Sequence, residues 1–180
     1  TKYELYKKYS LSFEDFDYFF KETKDLDIEF IPCVLDVSSF KYIYNKGYKF
    51  LKIHATDISN EALLKQIVNK SDVSIILETQ CATHFDINYA LKSLRNQIVC
   101  LMHGFSNYPT EVEDLQLNSL DYLSDKFNLA VGFADHSLDT QNIPLMVLAK
   151  GCEFIEKHIT LSRNDRNLDY QVSLYPHEFS

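Results

Sequence analysis

Leu129-Ala-Val-Gly-Phe-Ala-Asp-His136, then Thr140-Gln-Asn-Ile-Pro-Leu-Met-Val-Leu-Ala-Lys-Gly151, then Cys152-Glu-Phe-Ile-Glu-Lys-His158 reads as strand, helix, strand. The outer runs are short and apolar. The middle segment opens on a Thr and closes on a Gly, a cap and a stop for a helix. A helical crossover of this length makes the two strands parallel and neighbours in one sheet. Each strand then ends on a histidine. Adjacent strands lie roughly 4.8 Å apart, so His136 and His158 can reach one divalent ion. The alternative is two ordinary strand-end histidines with hydrogen-bonded rings.

The same alternation extends towards the N-terminus. Apolar, β-rich runs cover Ile28–Leu35, Lys49–Ile53, Val73–Leu77, Ile98–Met102, Leu129–Ala134 and Glu153–Ile159. Both faces of these runs are apolar, as buried parallel strands require. Between them lie amphipathic segments with i, i+3, i+4 stripes. Ser12 caps one carrying Phe13, Phe16, Phe19 and Phe20, with Asp15 placed for a capping box. Ser59 precedes Leu63, Leu64 and Ile67. Thr83 and Asp86 open a helix with Ile87, Ala90, Leu91 and Leu94. Glu113 to Phe127 carries Leu117, Leu120 and Leu123.

Six β/α units without a linker predict one domain, either a barrel or an open doubly wound sheet. A complete eight-stranded barrel takes about 250 residues. A chain of 180 residues therefore fits an open sheet or a barrel short of two units.

Composition narrows the function. The net charge of −8 and the absence of a Lys/Arg cluster argue against nucleic acid or an anionic membrane as partner. No apolar run is long enough to span a bilayer and no signal peptide opens the chain, so a cytoplasmic protein is expected. Cys33, Cys81, Cys100 and Cys152 lack metal-site spacing and read as structural thiols. Four glycines exclude a Gly-rich nucleotide loop. The chain begins with Thr1 rather than Met, as a part of a longer protein would.

The stretch Leu101-Met-His-Gly-Phe-Ser-Asn-Tyr-Pro-Thr110 with Glu111 to Leu117, together with Gly132-Phe-Ala-Asp-His-Ser-Leu138 and Ile155-Glu-Lys-His-Ile-Thr-Leu161, resembles the sialic acid synthase (NeuB-type) family. That family includes the N-acetylneuraminate, legionaminate and pseudaminate synthases. Its members show His-Cys-Thr-x-x-Tyr-Pro, then Gly-x-Ser-Asp-His-Thr, then Ile-Glu-Lys/Arg-His-Phe-Thr. Tyr3 to Lys8, Leu51-Lys-Ile53 with Asp57, and Asp169 to Phe179 follow in order.

The resemblance implies a TIM-type (β/α) barrel of which this chain holds strands three to eight, as a single partial domain. Absent from it are the first two units and the C-terminal antifreeze-like domain that completes the site across a homodimer. The implied reaction condenses phosphoenolpyruvate with an N-acyl hexosamine to a nine-carbon 2-keto acid. His136 and His158 would hold Mn²⁺ or Mg²⁺. Lys52, Asp57 and Glu156 would be the catalytic groups. Tyr108, Ser106, Asp135 and Asp169 would meet substrate, and Asp135 and Glu156 could instead orient the histidine rings. His54, His84 and His103 are further candidate ligands or ordinary loop and strand-end histidines.

Departures gather where the family cradles phosphate. Its Lys-Ile-x-Ser-Gly is Lys52-Ile-His-Ala-Thr56 here, and its Leu-Ser-Thr-Gly-Met is Leu77-Glu-Thr-Gln-Cys81. Ala55, Glu78, Gln80 and Ala134 replace small or hydroxyl groups that would close on a phosphate. Three expectations follow: a divergent synthase, a metal- or sugar-binding pseudoenzyme or interaction module of the same fold, or a metal-dependent aldolase or isomerase that uses the same histidines without phosphoenolpyruvate.

Overall fold

The computed structural model describes residues 2–94 and 96–179, leaving out the side chains of Lys2 and Leu5. It divides into two compact units, Thr1–Pro32 and Cys33–Ser180.

The first unit holds α1 (Lys2–Lys8) and α2 (Phe13–Asp25). Ser12 and Asp15 form the expected capping box, satisfying backbone donors that the first turn leaves unpaired. Phe20 is the buried residue of α2, with Phe16 6.2 Å and Phe30 5.2 Å away between ring centroids. The expected strand over residues 28–35 is reduced to Cys33–Val34, in the second unit. Pro32, which has no N–H to give a ladder, immediately precedes it.

In the second unit six parallel strands follow one another in sequence order: β1 (Cys33–Val34), β2 (Phe50–Ile53), β3 (Ser74–Glu78), β4 (Ile98–Gly104), β5 (Ala130–Asp135) and β6 (Phe154–Lys157). The crossover helices are α3 (Val37–Asn45), α4 (Glu61–Ile67), α5 (His84–Leu94), α6 (Asn118–Phe127) and α7 (Asn142–Ala149), with α8 (Pro176–Phe179) near the C-terminus. A doubly wound sheet reverses its strand order at a switch point; this one never does. Its curvature is equally decisive. A flat sheet would hold β2 and β6 about 19 Å apart, yet the Phe50 and Phe154 rings are 6.3 Å apart. The sheet is a curled half-barrel with helices alternating along it.

Strand alternation assigns the two faces. Leu51, Ile53, Leu77, Leu101, Val131 and Phe133 are buried beneath the helices. Leu63, Leu64 and Ile67 of α4 close that layer with almost no exposure, each such side chain contributing roughly 1.5–3 kcal/mol of burial. The opposite face, the lumen, carries Phe50, Lys52, Glu78, Met102, Gly132, Ala134, Phe154 and Glu156, as the register pairs require. Gly132 is needed there. A Cβ would come within 2.8 Å of Met102 Sδ and 2.9 Å of Phe154 Cβ.

Several helix starts differ from expectation. Asn60, not Ser59, caps α4. The segment from Glu113 begins as a short 3₁₀ turn, Val112–Asp114, and the helix starts only at Asn118, after Gln116 takes a left-handed φ of 49°. Asp139 rather than Thr140 accepts the first amides of α7, from Gln141 and Asn142, both at its Oδ1. Helix α3 was not anticipated, although Asp36 and Ser39 form a capping box at its start.

Candidate active site at the strand C-termini

The C-terminal ends of β2 to β6 gather most of the residues singled out above. Lys52 Nζ reaches across the lumen to Glu156 at 2.6 Å and to Glu78 Oε1 at 2.6 Å. Glu78 is nearly buried, and its second oxygen accepts from the Ala55 backbone N–H at 3.2 Å. Burial opposes the charge on Lys52, but Glu156 and then Glu78 outweigh it and hold its pKa above the ordinary lysine value. The ammonium is thus permanently charged.

Beside this trio lies a cluster of three rings. His136 and His158, each one residue past its strand, have centroids 5.4 Å apart. Tyr108 packs 4.2 Å from His136 and 5.9 Å from His158. The loop that presents Tyr108 is tied down by Thr110, whose amide donates to the His136 carbonyl and whose hydroxyl donates to the Asn107 carbonyl. His136 Nδ1 lies 2.8 Å from the Phe105 carbonyl. A carbonyl only accepts, so Nδ1 carries a proton, which in the neutral ring leaves the lone pair on Nε2. Burial, against the opposing pull of Asp169, lowers the His158 pKa, and His136 adds to the lowering. His158 therefore suits a metal ion as a neutral donor, and the Phe105 contact fixes the His136 tautomer that offers Nε2 to one. Among the described residues no group of three or more His, Cys, Asp or Glu is arranged to hold one.

The remaining candidates divide. Asp169, at a left-handed φ of 55°, sits 4.0 Å from His158 Nδ1. Ser106 donates to Gln80 Oε1 at 2.9 Å. Asp57 lies in the 3₁₀ turn after β2, accepting from Asn60 and Thr56. Asp135 faces away from the lumen: fully buried, it pairs with Lys157 at 2.9 Å and accepts from the Ser137 amide at 2.8 Å. Its ring-orienting role for His136 falls instead to the Phe105 carbonyl. Glu156 points into the lumen, against Lys52. His103 is on the helix-facing side, against the Leu115 carbonyl, and His84 stacks on Tyr122. Of the additional histidines only His54 borders the site, 3.5 Å from Glu78.

Tyr108 keeps its phenolic proton, its pKa pushed up to about 12 by burial and by Asp169. Sequence reading missed Glu78 as the partner of Lys52. Strand alternation placed both on one face, but nothing local joined residues 26 apart.

Parallel strands in sequence order, helices outside, and charged and ring side chains at the strand C-termini define a β/α-barrel protein with a site where such barrels carry chemistry. The chain belongs to the NeuB family, whose profile matches residues 1–180. It is 29% identical over 185 residues to the N,N'-diacetyllegionaminic acid synthase of Legionella pneumophila, covering 99% of this chain and 51% of that enzyme. An uncharacterised protein of Methanocaldococcus jannaschii is 33% identical over 180 residues, 98% of this chain and 53% of that protein. The crystal structure of the N-acetylneuraminic acid synthetase of Leptospira borgpetersenii, in complex with citrate, superposes with a TM-score of 0.90 at 28% identity, over 98% of this chain and 62% of that one. The chain spans about half the length of the curated relatives it matches. No helix among the described residues is long and apolar enough to cross a membrane.

Proposed function

We propose that this chain carries barrel chemistry of a sugar-acid synthase, joining phosphoenolpyruvate to an N-acyl hexosamine with release of phosphate. The observation that carries this reading is the His136–His158 ring pair, 5.4 Å apart, within electrostatic reach of Lys52 and Glu156. The two histidines would hold a divalent ion; an imidazole pair suits Mn²⁺ better than Mg²⁺. Once bound, such an ion would polarise the sugar carbonyl oxygen as a Lewis acid.

The protein's own groups do the rest. Tyr108, protonated and packed on His136, is placed to donate to the sugar. Lys52 meets the enolpyruvate carboxylate or phosphate as a fixed positive charge, and Glu156 holds its ammonium across the lumen. Asp169 and Ser106 border the sugar, and Asp57 sits at the mouth after β2. Asp135 acts at one remove, anchoring the strand end from which His136 extends. Lys52 faces two carboxylates, Glu78 and Glu156, and Asp169 adds a third beside His158, so a further cation would relieve their repulsion. The reading includes a cytoplasmic setting and a homodimer.

Glu78 favours a second reading, a barrel that binds metal and sugar without phosphoenolpyruvate chemistry, because it already engages Lys52. Phosphate release from phosphoenolpyruvate, measured with Mn²⁺ and a panel of N-acyl hexosamines, separates the two. Release that needs both sugar and metal supports the synthase. No release with any sugar supports the second reading.

A further inference from the structure

Glu78 is held as a bound anion would be. Its Oε1 accepts from Lys52 Nζ at 2.6 Å, and its Oε2 from the Ala55 N–H at 3.2 Å. His54 adds a third group. Its Nδ1 accepts from the Thr56 amide at 3.2 Å, so in the neutral ring the proton sits on Nε2, which faces Glu78 Oε2 at 3.5 Å. These groups come from β2 and the turn after it, whereas Glu78 comes from the end of β3. An ammonium and a backbone amide converging on two oxygens of one side chain, with the His54 ring 3.5 Å away, make an oxyanion subsite. Glu78 is only 3% exposed, so its carboxylate exchanges these partners for water at a cost.

We propose that Glu78 is a tethered occupant of this subsite, and that phosphate- or carboxylate-bearing ligands bind there only in competition with it. The proposal rests on the reading of this lumen as a ligand site, and assigns that site a built-in competitor. Two features make the occupancy separable from folding. Lys52 keeps Glu156 as a partner when Glu78 is absent, so no buried ammonium is stranded. The Ala55 turn is closed by its own bonds, Asp57 N–H to the His54 carbonyl at 2.9 Å and Asn60 N–H to the Asp57 carbonyl at 3.0 Å. The donors therefore stay in place when the carboxylate leaves.

The competition has a direction. A free anion must displace a carboxylate at effectively high local concentration, and also meet its negative charge in the same pocket. Removing that charge turns an occupied subsite into an open one. Glu78→Gln keeps the shape and removes the charge; Glu78→Ser removes both.

Calorimetric titration of inorganic phosphate, and separately of pyruvate, into the wild-type protein, Glu78→Gln and Glu78→Ser tests this. The result expected is roughly 10- to 100-fold tighter binding of at least one anion in Glu78→Ser, the size of a recovered charge-assisted contact. The gain should be lost in the Glu78→Ser/Lys52→Met double variant. The phosphate and pyruvate arms show which anion the subsite takes. Unchanged affinity for both anions in Glu78→Gln and Glu78→Ser would overturn the proposal, as would a gain that survives Lys52→Met. Restored anion binding without product from any sugar would leave the tethered anion standing and sink the synthase reading. Synthase activity with anion affinity unmoved at Glu78 would do the reverse.

Discussion

Lys52 and Glu156, 104 residues apart in sequence, meet at 2.6 Å across the lumen between β2 and β6. That single contact reports both the curl of the sheet and the electrostatics of the site. It also makes the loss of Lys52 costly. Lys52→Met leaves the nearly buried Glu78 without its main partner, and breaking a buried pair from one side costs on the order of 3 kcal/mol. Glu156→Gln should cost well under half as much, because the Glu156 side chain is 38% exposed and solvent screens it. Urea unfolding of the two variants beside wild type measures the difference. Equal losses would contradict the assignment of Glu78 as the dependent partner.

Gly132 marks the tightest point of the lumen. A Cβ there meets Met102 Sδ at 2.8 Å, Phe154 Cβ at 2.9 Å and the Phe154 carbonyl oxygen at 3.0 Å. The sulfur can yield, but the backbone oxygen cannot. Gly132→Ala is expected to lower stability by about 1–3 kcal/mol through overpacking. Thermal melts would show it, and an unchanged midpoint would mean that β5 and β6 are further apart than described.

Stability should fall on mild acidification. Burial lowers the His103 pKa in the folded protein, below an unfolded value of about 6.5. As pH drops past that value the unfolded chain takes up the proton first, so folding loses free energy until the lowered folded pKa is reached. His158, also lowered by burial, adds in the same sense. Melting midpoints followed from about pH 7.5 to about pH 5.5 should decline, and decline less in His103→Gln. An identical slope in the variant would refute the contribution.

Much of this architecture is legible in the sequence because local chemistry encodes it. Ser12 with Asp15, and Thr83 with Asp86, are capping boxes at the expected helix starts. The apolar runs on both faces specify parallel strands, which the register confirms for β5 and β6. Helix α3 escaped notice because its box uses Ser39 where Glu or Gln is usual. At the site, the resemblance put Asp135 against substrate, whereas strand alternation sets it on the face opposite Ala134, where it pairs with Lys157. The pairing of Lys52 with Glu78 and Glu156 was not legible: it depends on sheet curvature, a property of the whole barrel sector.

The measurement that tests the account most directly is electron paramagnetic resonance of free Mn²⁺ titrated with the wild-type protein and with His136→Ala, near neutral pH, where His158 is held neutral. Wild type should remove the free-ion signal saturably. Losing a ligand outright should weaken binding by more than the roughly 10- to 100-fold that follows loss of a ligand's hydrogen-bond partner. Equal sequestration by His136→Ala would contradict a shared metal on His136 and His158, and with it the central claim about this site.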